Sequence, residues 1–510
     1  MKMPFPINYP EMVVKKSGGL TASENKLAIL GYHTFLSLWS YPNPYKMQSN
    51  GKELCDLLIV FDKHIRIFSD KDCAYGNSGD ALVDWRRWYK KAIQKSAEQL
   101  IGAKNWILHY PDRIAVDAKC SQKLPLEIKI TPETRFHLIA IAHGAEESCK
   151  AYFSGEDGGL LIDNQIVGDM HIGKDCEPFR IGQILDDTDN FIHVFDDSSY
   201  YNILSELDTV RDFVGYLNAR QELLTQKHVL AESENDILAQ HLYGVIKGNN
   251  ASLQEISREY SDVYFEGGLL PELKQSKQYR DWRVKVRTSY FWDDLLQKTF
   301  FFVYNGMSEF TTIPTIHEQS ELFKYMACED RFHRHCLSEG FLSFLSKANP
   351  GDRGTRILFN SSECNHCYLL LLLPREKYMS DTDYRAIRRE MLTNYCKIIK
   401  SEYPEISYII GVAHETSDKD YSSEDFVYFD ASEWSDEDQH NAVALKTEYE
   451  ELHLLSERSM ASRTFYSEAP KMKGRDRNKP CPCGSGRKFK NCCGRILVPE
   501  KKFTVLLCKL

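Results

Sequence analysis

The sequence predicts an α/β protein: a mixed sheet with flanking helices, a second α/β domain, and a small cysteine knuckle at the C-terminus. Three observations lead there. Glu53–Asp72 reads as a hairpin set between two helical patterns, Tyr368–Val412 reads as strand, helix and strand, and four cysteines fall between positions 481 and 493. Short apolar or alternating runs mark strands, and apolar residues spaced three and four apart mark helices.

The chain of 510 residues is long enough for two or three domains, and its 42% hydrophobic and 12% aromatic residues can fill their cores. The formal charge of −9 excludes a globally basic surface, so any nucleic-acid contact must be local. No apolar run reaches the length of a membrane span, and the opening MKMPFPINYP carries no apolar signal region. A cytoplasmic protein without a membrane partner is therefore expected. Of the 15 cysteines, four cluster at 481–493 near the C-terminus, which points to metal binding in a reducing compartment rather than a disulfide scaffold.

The first domain is expected over 1–230. Thr21-x-x-Glu24 is a capping-box pattern, and Leu27, Leu30, Tyr32, Phe35 and Leu38 give the following helix its apolar face. A loop through Pro42, Asn43 and Pro44 leads to the hairpin. Leu57–Phe61 is its apolar strand, Asp62-Lys63 its turn, and His64–Ser69 its alternating strand. With a side-chain period of two, Asp56, Ser69 and Lys71 would share one face. A helix follows from about Ala81 to Ala103. Trp85, Trp88, Tyr89, Ala92, Ser96 and Leu100 trace its buried side; Arg86, Arg87, Lys90, Lys91 and Lys95 trace a basic side suited to solvent or to a phosphate backbone. Ile107–Asp117, Leu126–Ile130, Arg135–Ala142 and Phe191–Phe195 read as strands, and Asp208–Leu223 as a helix.

A second α/β domain, with no reaction assigned, is expected over 231–430. It begins with a helix near Ile237–Ile246, and further elements fall at Tyr290–Phe302 and Leu342–Ser346. Tyr368–Pro374, a helix over Asp383–Ser401 and Ser407–Val412 suggest a parallel pair with a right-handed crossover. Cys364 and Cys367 have the spacing of a metal pair, with Cys328, His333, His335 and Cys336 as further donors; cysteine is equally a small core residue. His414-Glu415 is a catalytic pair or a solvated one. Residues 431–470 read as an acidic linker, and 471–510 as a metal-binding tail.

The helix–hairpin–helix pattern around Asp56 and Lys71 resembles the core of the PD-(D/E)xK nuclease superfamily, the restriction-endonuclease-like fold. In that family an aspartate opens one strand and a carboxylate-x-lysine closes the next. The resemblance implies Asp56 and a second carboxylate as ligands of catalytic Mg²⁺ or Mn²⁺, and Lys71 as the residue that orients the attacking water. Position 69, where the second carboxylate is expected, is Ser. Asp70 is one residue late and would need a β-bulge to reach the same face. The resemblance further implies Glu24 from the early helix as a metal ligand and Gln99, a turn beyond Lys95, as a contact to the scissile phosphate. For Glu24 a helix-capping role is the alternative.

Cys481-x-Cys483, eight residues and Cys492-Cys493 offer four thiolates around a Gly484-Ser485-Gly486 turn. Four soft ligands at this spacing suit tetrahedral Zn²⁺, which would supply the folding energy of a segment too short for a core. The spacing resembles the SEC-C motif, known from the tail of the SecA translocation motor, and implies a protein partner or nucleic acid. Residues 471–495 carry nine basic side chains against one acid, Asp476. A SecA-like motor is excluded, because the chain has no GxxxxGK[ST] phosphate loop. Two functions follow: a metal-dependent nuclease acting on DNA or RNA, suited by analogy to bacterial anti-phage defence, or a non-catalytic adaptor whose degenerate nuclease fold is joined to a zinc knuckle that binds protein. Ile496–Leu510 has strand character and would dock on the body.

Overall fold

The computed structural model describes residues 19–48, 51–155, 158–246, 253, 261–304, 316–359, 365–416, 424–455, 458–464, 478–479, 488 and 502–508. They form mixed α/β structure in two compact units, which divide between Trp282 and Arg283. The boundary expected at 230 falls inside the first unit, because β8 (Leu161–Val167), β9 (Arg180–Gln183), β11 (His228–Ala231) and β12 (Asp262–Phe265) share one sheet.

The first unit opens with α1 (Ala22–Trp39), capped by Thr21. Leu36 has non-helical backbone angles (φ 62°, ψ 158°) that kink α1 near its end, and β1 (Ser40–Pro42) follows where the helix stops at Trp39. β2 (Tyr45–Lys46) and β3 (Lys52–Glu53) belong to a small sheet, and β4 (Leu57–Phe61) and β5 (His64–Asp72) make the hairpin. Phe61 pairs with His64 across a two-residue turn in which Asp62 adopts φ 52°, a left-handed value that a short polar residue tolerates.

A continuous helix follows. α2 (Ala81–Tyr89) runs through one π-turn at Lys90–Gln94 into α3 (Lys95–His109). Trp85, Trp88, Tyr89, Ala92, Ser96 and Leu100 are all buried, as their spacing required. The chain then passes through β6 (Ile114–Ala115) to β7 (Arg135–His143) and, later, β10 (Ile192–Phe195). The main sheet has the order β1-β4-β5-β7-β10, antiparallel through β1, β4 and β5 and parallel from β5 to β7 to β10. Two expected strands are absent: Ile107–His109 completes α3, leaving only Ile114–Ala115 extended, and Leu126–Ile130 forms no ladder. Helices α4 (Glu146–Phe153), α5 (Ser199–Glu206), α6 (Val210–Gln226) and α7 (Glu234–Ile246) complete the described part that bears on the site.

The second unit is built on a sheet ordered β16-β15-β14-β13-β18-β17. Its strands are β13 (Gly354–Phe359), β14 (His366–Leu373), β15 (Tyr408–Glu415), β16 (Glu424–Asp430), β17 (Arg458–Thr464) and β18 (Lys502–Cys508). β14 and β15 are parallel, joined by the helix Asp381–Glu402, whose Leu392, Tyr395, Cys396 and Ile399 pack with Leu369, Leu371 and Ile409. Tyr290–Tyr304 is a helix, and Leu342–Ser346 falls at the end of the helix Arg331–Leu345. The segment expected as an acidic linker folds instead. Ser435 and Asp438 close a capping box on the helix Asp436–Glu451, and Leu445 and Tyr449 pack into the same core as Tyr395.

Candidate functional site

The alternation of β5 sorts the hairpin's polar residues onto two faces. Its pairing with β7 runs without a break from His64↔Arg135 to Asp72↔His143, so no bulge interrupts it. Ser69 and Lys71 therefore point toward α3, and Asp70 points the other way.

On the α3 side, Asp56 is 4% exposed and holds the corner together. Its Oδ2 accepts from the backbone N–H of Asp70 and lies 3.4 Å from Lys71 Nζ; its Oδ1 accepts from Gln99 Nε2 at 3.4 Å. Ser69 Oγ, fully buried, lies 3.1 Å from both Gln99 Oε1 and Ser96 Oγ, and Ser96 Oγ donates to Ala92 O at 2.7 Å. A neutral hydroxyl ladder thus fills the place of a second carboxylate. Burial pushes the Asp56 carboxyl up to about 6 against the pull of Lys71 and the Asp70 amide, and Glu53 and Glu24 push it in the same direction as burial. Lys91 and Lys95 stand exposed on the helix, and with Lys71 they exert a cationic field on Cys73, just beyond the end of β5. The buried acid thus lies beside a basic rim at the end of β5.

Glu24 does not reach into this corner as a free ligand. Its Oε2 accepts from Leu20 N–H at 2.8 Å and from Asn43 Nδ2 at 3.1 Å, and Asn43 Nδ2 also donates to Glu53 Oε1 at 2.6 Å. Glu53, which the sequence pattern did not single out, is thereby drawn toward Glu24. Among the described residues, no group of three or more His, Cys, Asp or Glu side chains is placed to hold a metal ion. The donors around Asp56, with Ser69 neutral and Asp70 turned away, do not fit the expected catalytic Mg²⁺ or Mn²⁺.

On the opposite face Asp70 meets a cluster that sequence reasoning missed. His143, at the end of β7, places Nε2 2.7 Å from Asp70 Oδ1 and Nδ1 2.6 Å from Asp197 Oδ1. The Asp70 contact is off the hydrogen-bond direction and so is chiefly ionic, whereas the Asp197 contact is well aligned. Gly144 N–H donates to Asp197 Oδ2 at 2.9 Å. Gly144 has φ +90°, and a Cβ there would lie 2.3 Å from Cys73 O, so only glycine lets the two strand ends close at this point. Burial alone would lower the His143 imidazole, but Asp197 and Asp70 raise it to about 10, so it sits as a cation between two carboxylates.

In the second unit, Cys364 lies outside the described residues. His366 and Cys367 are consecutive in β14 and so face opposite sides of the sheet. Cys367 enters the core beside Cys396, whereas His366 Nε2 meets Glu329 Oε1 at 3.0 Å. His333 pairs with Asp330, and His335 bonds Thr288, and among the described residues no metal-holding group forms there. His414 pairs with Glu424, and Glu415 is buried.

A family model for the SEC-C motif, a zinc-binding motif, matches residues 477–495. No curated protein and no solved structure matches the chain. Cys481, Cys483, Cys492 and Cys493 lie outside the described residues. The flanking strands are described: β17 and β18 pair antiparallel from Arg458↔Cys508 to Thr464↔Lys502. The motif therefore falls in the connection between two paired strands of the second sheet, rather than in a tail beyond the fold. No described helix is long and apolar enough to cross a membrane.

Proposed function

We propose that the chain is a nucleic-acid-binding adaptor with a nuclease-like first unit, in which Lys71, Lys91 and Lys95 grip the phosphodiester backbone beside Asp56. The observation that carries this reading is the basic rim beside a corner whose one carboxylate, Asp56, is buried and already held by Lys71, Gln99 and the Asp70 amide. Cations along one edge neutralise successive phosphates, and a nearby amide such as Gln99 donates to a phosphate oxygen. Zn²⁺ on Cys481, Cys483, Cys492 and Cys493 would order the connection between β17 and β18 and present its basic residues to a protein partner.

A second reading, a phosphodiester hydrolase, draws support from a different observation. The order of α1, the antiparallel β1, β4 and β5, the α2–α3 helix and the parallel β7 is the order the nuclease resemblance implies, and Lys71 does lie against Asp56. Fluorescence anisotropy with labelled single- and double-stranded DNA and RNA, followed by gel analysis in Mg²⁺ or Mn²⁺, separates the two. The adaptor reading expects binding without cleavage, and weaker binding for Lys71→Ala. Cleavage that is lost in both Asp56→Ala and Lys71→Ala would replace it with the hydrolase.

A further inference from the structure

The other end of β5 carries a buried cation that no described carboxylate bonds. Arg66 is fully buried, yet its Nε and Nη2 have no hydrogen-bond partner, and Nη1 reaches only His64 O at a long 3.5 Å. Its guanidinium lies 5.8 Å from the Phe35 ring centroid on α1. Asp62, exposed in the hairpin turn, is the one carboxylate that acts on it. Three imidazoles share this layer. His64 Nδ1 and His137 Nε2 are 2.9 Å apart with their rings stacked, and His193 Nδ1 faces Arg220 Nη1 at 3.4 Å.

Arg220 shows what such a residue ordinarily has. Its Nε donates to Glu234 Oε1 and Oε2 at 2.7 and 2.9 Å, and Tyr216 OH also bonds that carboxylate. Among the described residues Arg66 has no such acceptor, although leaving a buried guanidinium unmatched costs several kcal/mol. The free edge of a guanidinium is a planar fork that fits two oxygens of one anion. Arg135, exposed at the start of β7, and half-buried His64 mark the side from which an anion would enter.

We propose that Arg66, with His64 and His137, forms a buried binding site for a phosphate-sized oxyanion at the amino-terminal ends of β5 and β7. Arg66 lies on the opposite face of β5 from Ser69 and Lys71, about 15 Å along the strand from Lys71. The site is therefore independent of the backbone-binding corner. The anion accepts from Arg66 Nε and Nη2 and supplies the charge that Glu234 supplies to Arg220.

Thermal unfolding in inorganic phosphate, with ionic strength matched by KCl, tests this on the full chain. Wild type is expected to gain about 3 °C or more in Tm as phosphate saturates, and Arg66→Met to gain nothing. Lys71→Ala, run beside it, reads any phosphate held at the corner at Asp56: a gain lost in Lys71→Ala but kept in Arg66→Met would place the anion there and overturn the proposal. The same gain in Arg66→Met, or none in wild type, overturns the proposal. Should Arg66→Met fail to fold, equilibrium dialysis with radiolabelled phosphate decides on wild type and Arg66→Lys. One saturable phosphate per chain, weakened about tenfold or more by loss of the fork, supports the site. Equal binding in the two, or no saturable binding, removes it. Parallel runs with acetate distinguish a tetrahedral oxyanion from a carboxylate: equal stabilisation by acetate would contradict the phosphate-sized assignment.

Discussion

At the scale of single residues, parity along β5 decides which side chains can work together. Asp56 and Lys71 meet because they sit on one face of a regular hairpin, and that much was legible in the sequence. The same parity sends Asp70 to the other face, where His143 meets it. That partner was not legible, because His143 and Asp197 come from strand ends far along the chain and only the folded sheet joins them. The two faces give opposite pH behaviour. Asp56 has a carboxyl raised from 3.8 to about 6, so its ionised form is disfavoured in the folded state. Its favourable contribution is full below pH 3.8 and is lost as pH rises through about 6. Asp56→Asn should therefore be more stable than wild type by about 1–3 kcal/mol at pH 8, with no advantage at pH 3.5; urea unfolding at both values checks this. His143 is raised from 6.5 to about 10, so its contribution is full below pH 6.5 and lost as pH rises through about 10. His143→Ala should cost about 2–4 kcal/mol at pH 6, discounted for the partly open Asp197, and the gap to wild type should narrow toward pH 10. Equal destabilisation at both pH values would argue against the ionic clamp.

Among the elements, those with one strong periodic signal read correctly, and those whose apolar residues are sparse did not. The helix through Trp85, Trp88 and Leu100 announced itself, although its extension to His109 was obscured by the β-branched and aromatic residues that follow. The helix Asp436–Glu451 was hidden by its charge. Only Ala442 and Tyr449 are fully buried along it, too few to stand out among Asp and Glu side chains. Its Ser435–Asp438 box and the packing of Tyr449 on Tyr395 (rings 5.5 Å apart, edge to face) supply what composition did not show. Tyr449→Ala should cost about 3 kcal/mol, and Ser435→Ala about 1 kcal/mol, in chemical denaturation of the second unit. A cost under about 0.5 kcal/mol for Tyr449→Ala would return this segment to the role of a solvated linker.

For the whole molecule, the second unit's sheet closes through strands on either side of the SEC-C match, so the order of the knuckle and of the sheet edge should be coupled. Chelation of bound metal is accordingly expected to loosen β17 and β18, seen as faster amide exchange at 458–464 and 502–508, with β14 unaffected. With a net charge of −9, the proposed nucleic-acid contact would be local, and the reading argued above places it where Lys71, Lys91 and Lys95 gather. The most direct test is the salt dependence of binding to a labelled oligonucleotide, compared between wild type and the Lys71→Ala/Lys91→Ala/Lys95→Ala variant. The rim reading expects at least a tenfold loss of affinity at low salt and a slope of log K against log salt reduced by about two to three. An unchanged affinity and slope in the triple variant would contradict it.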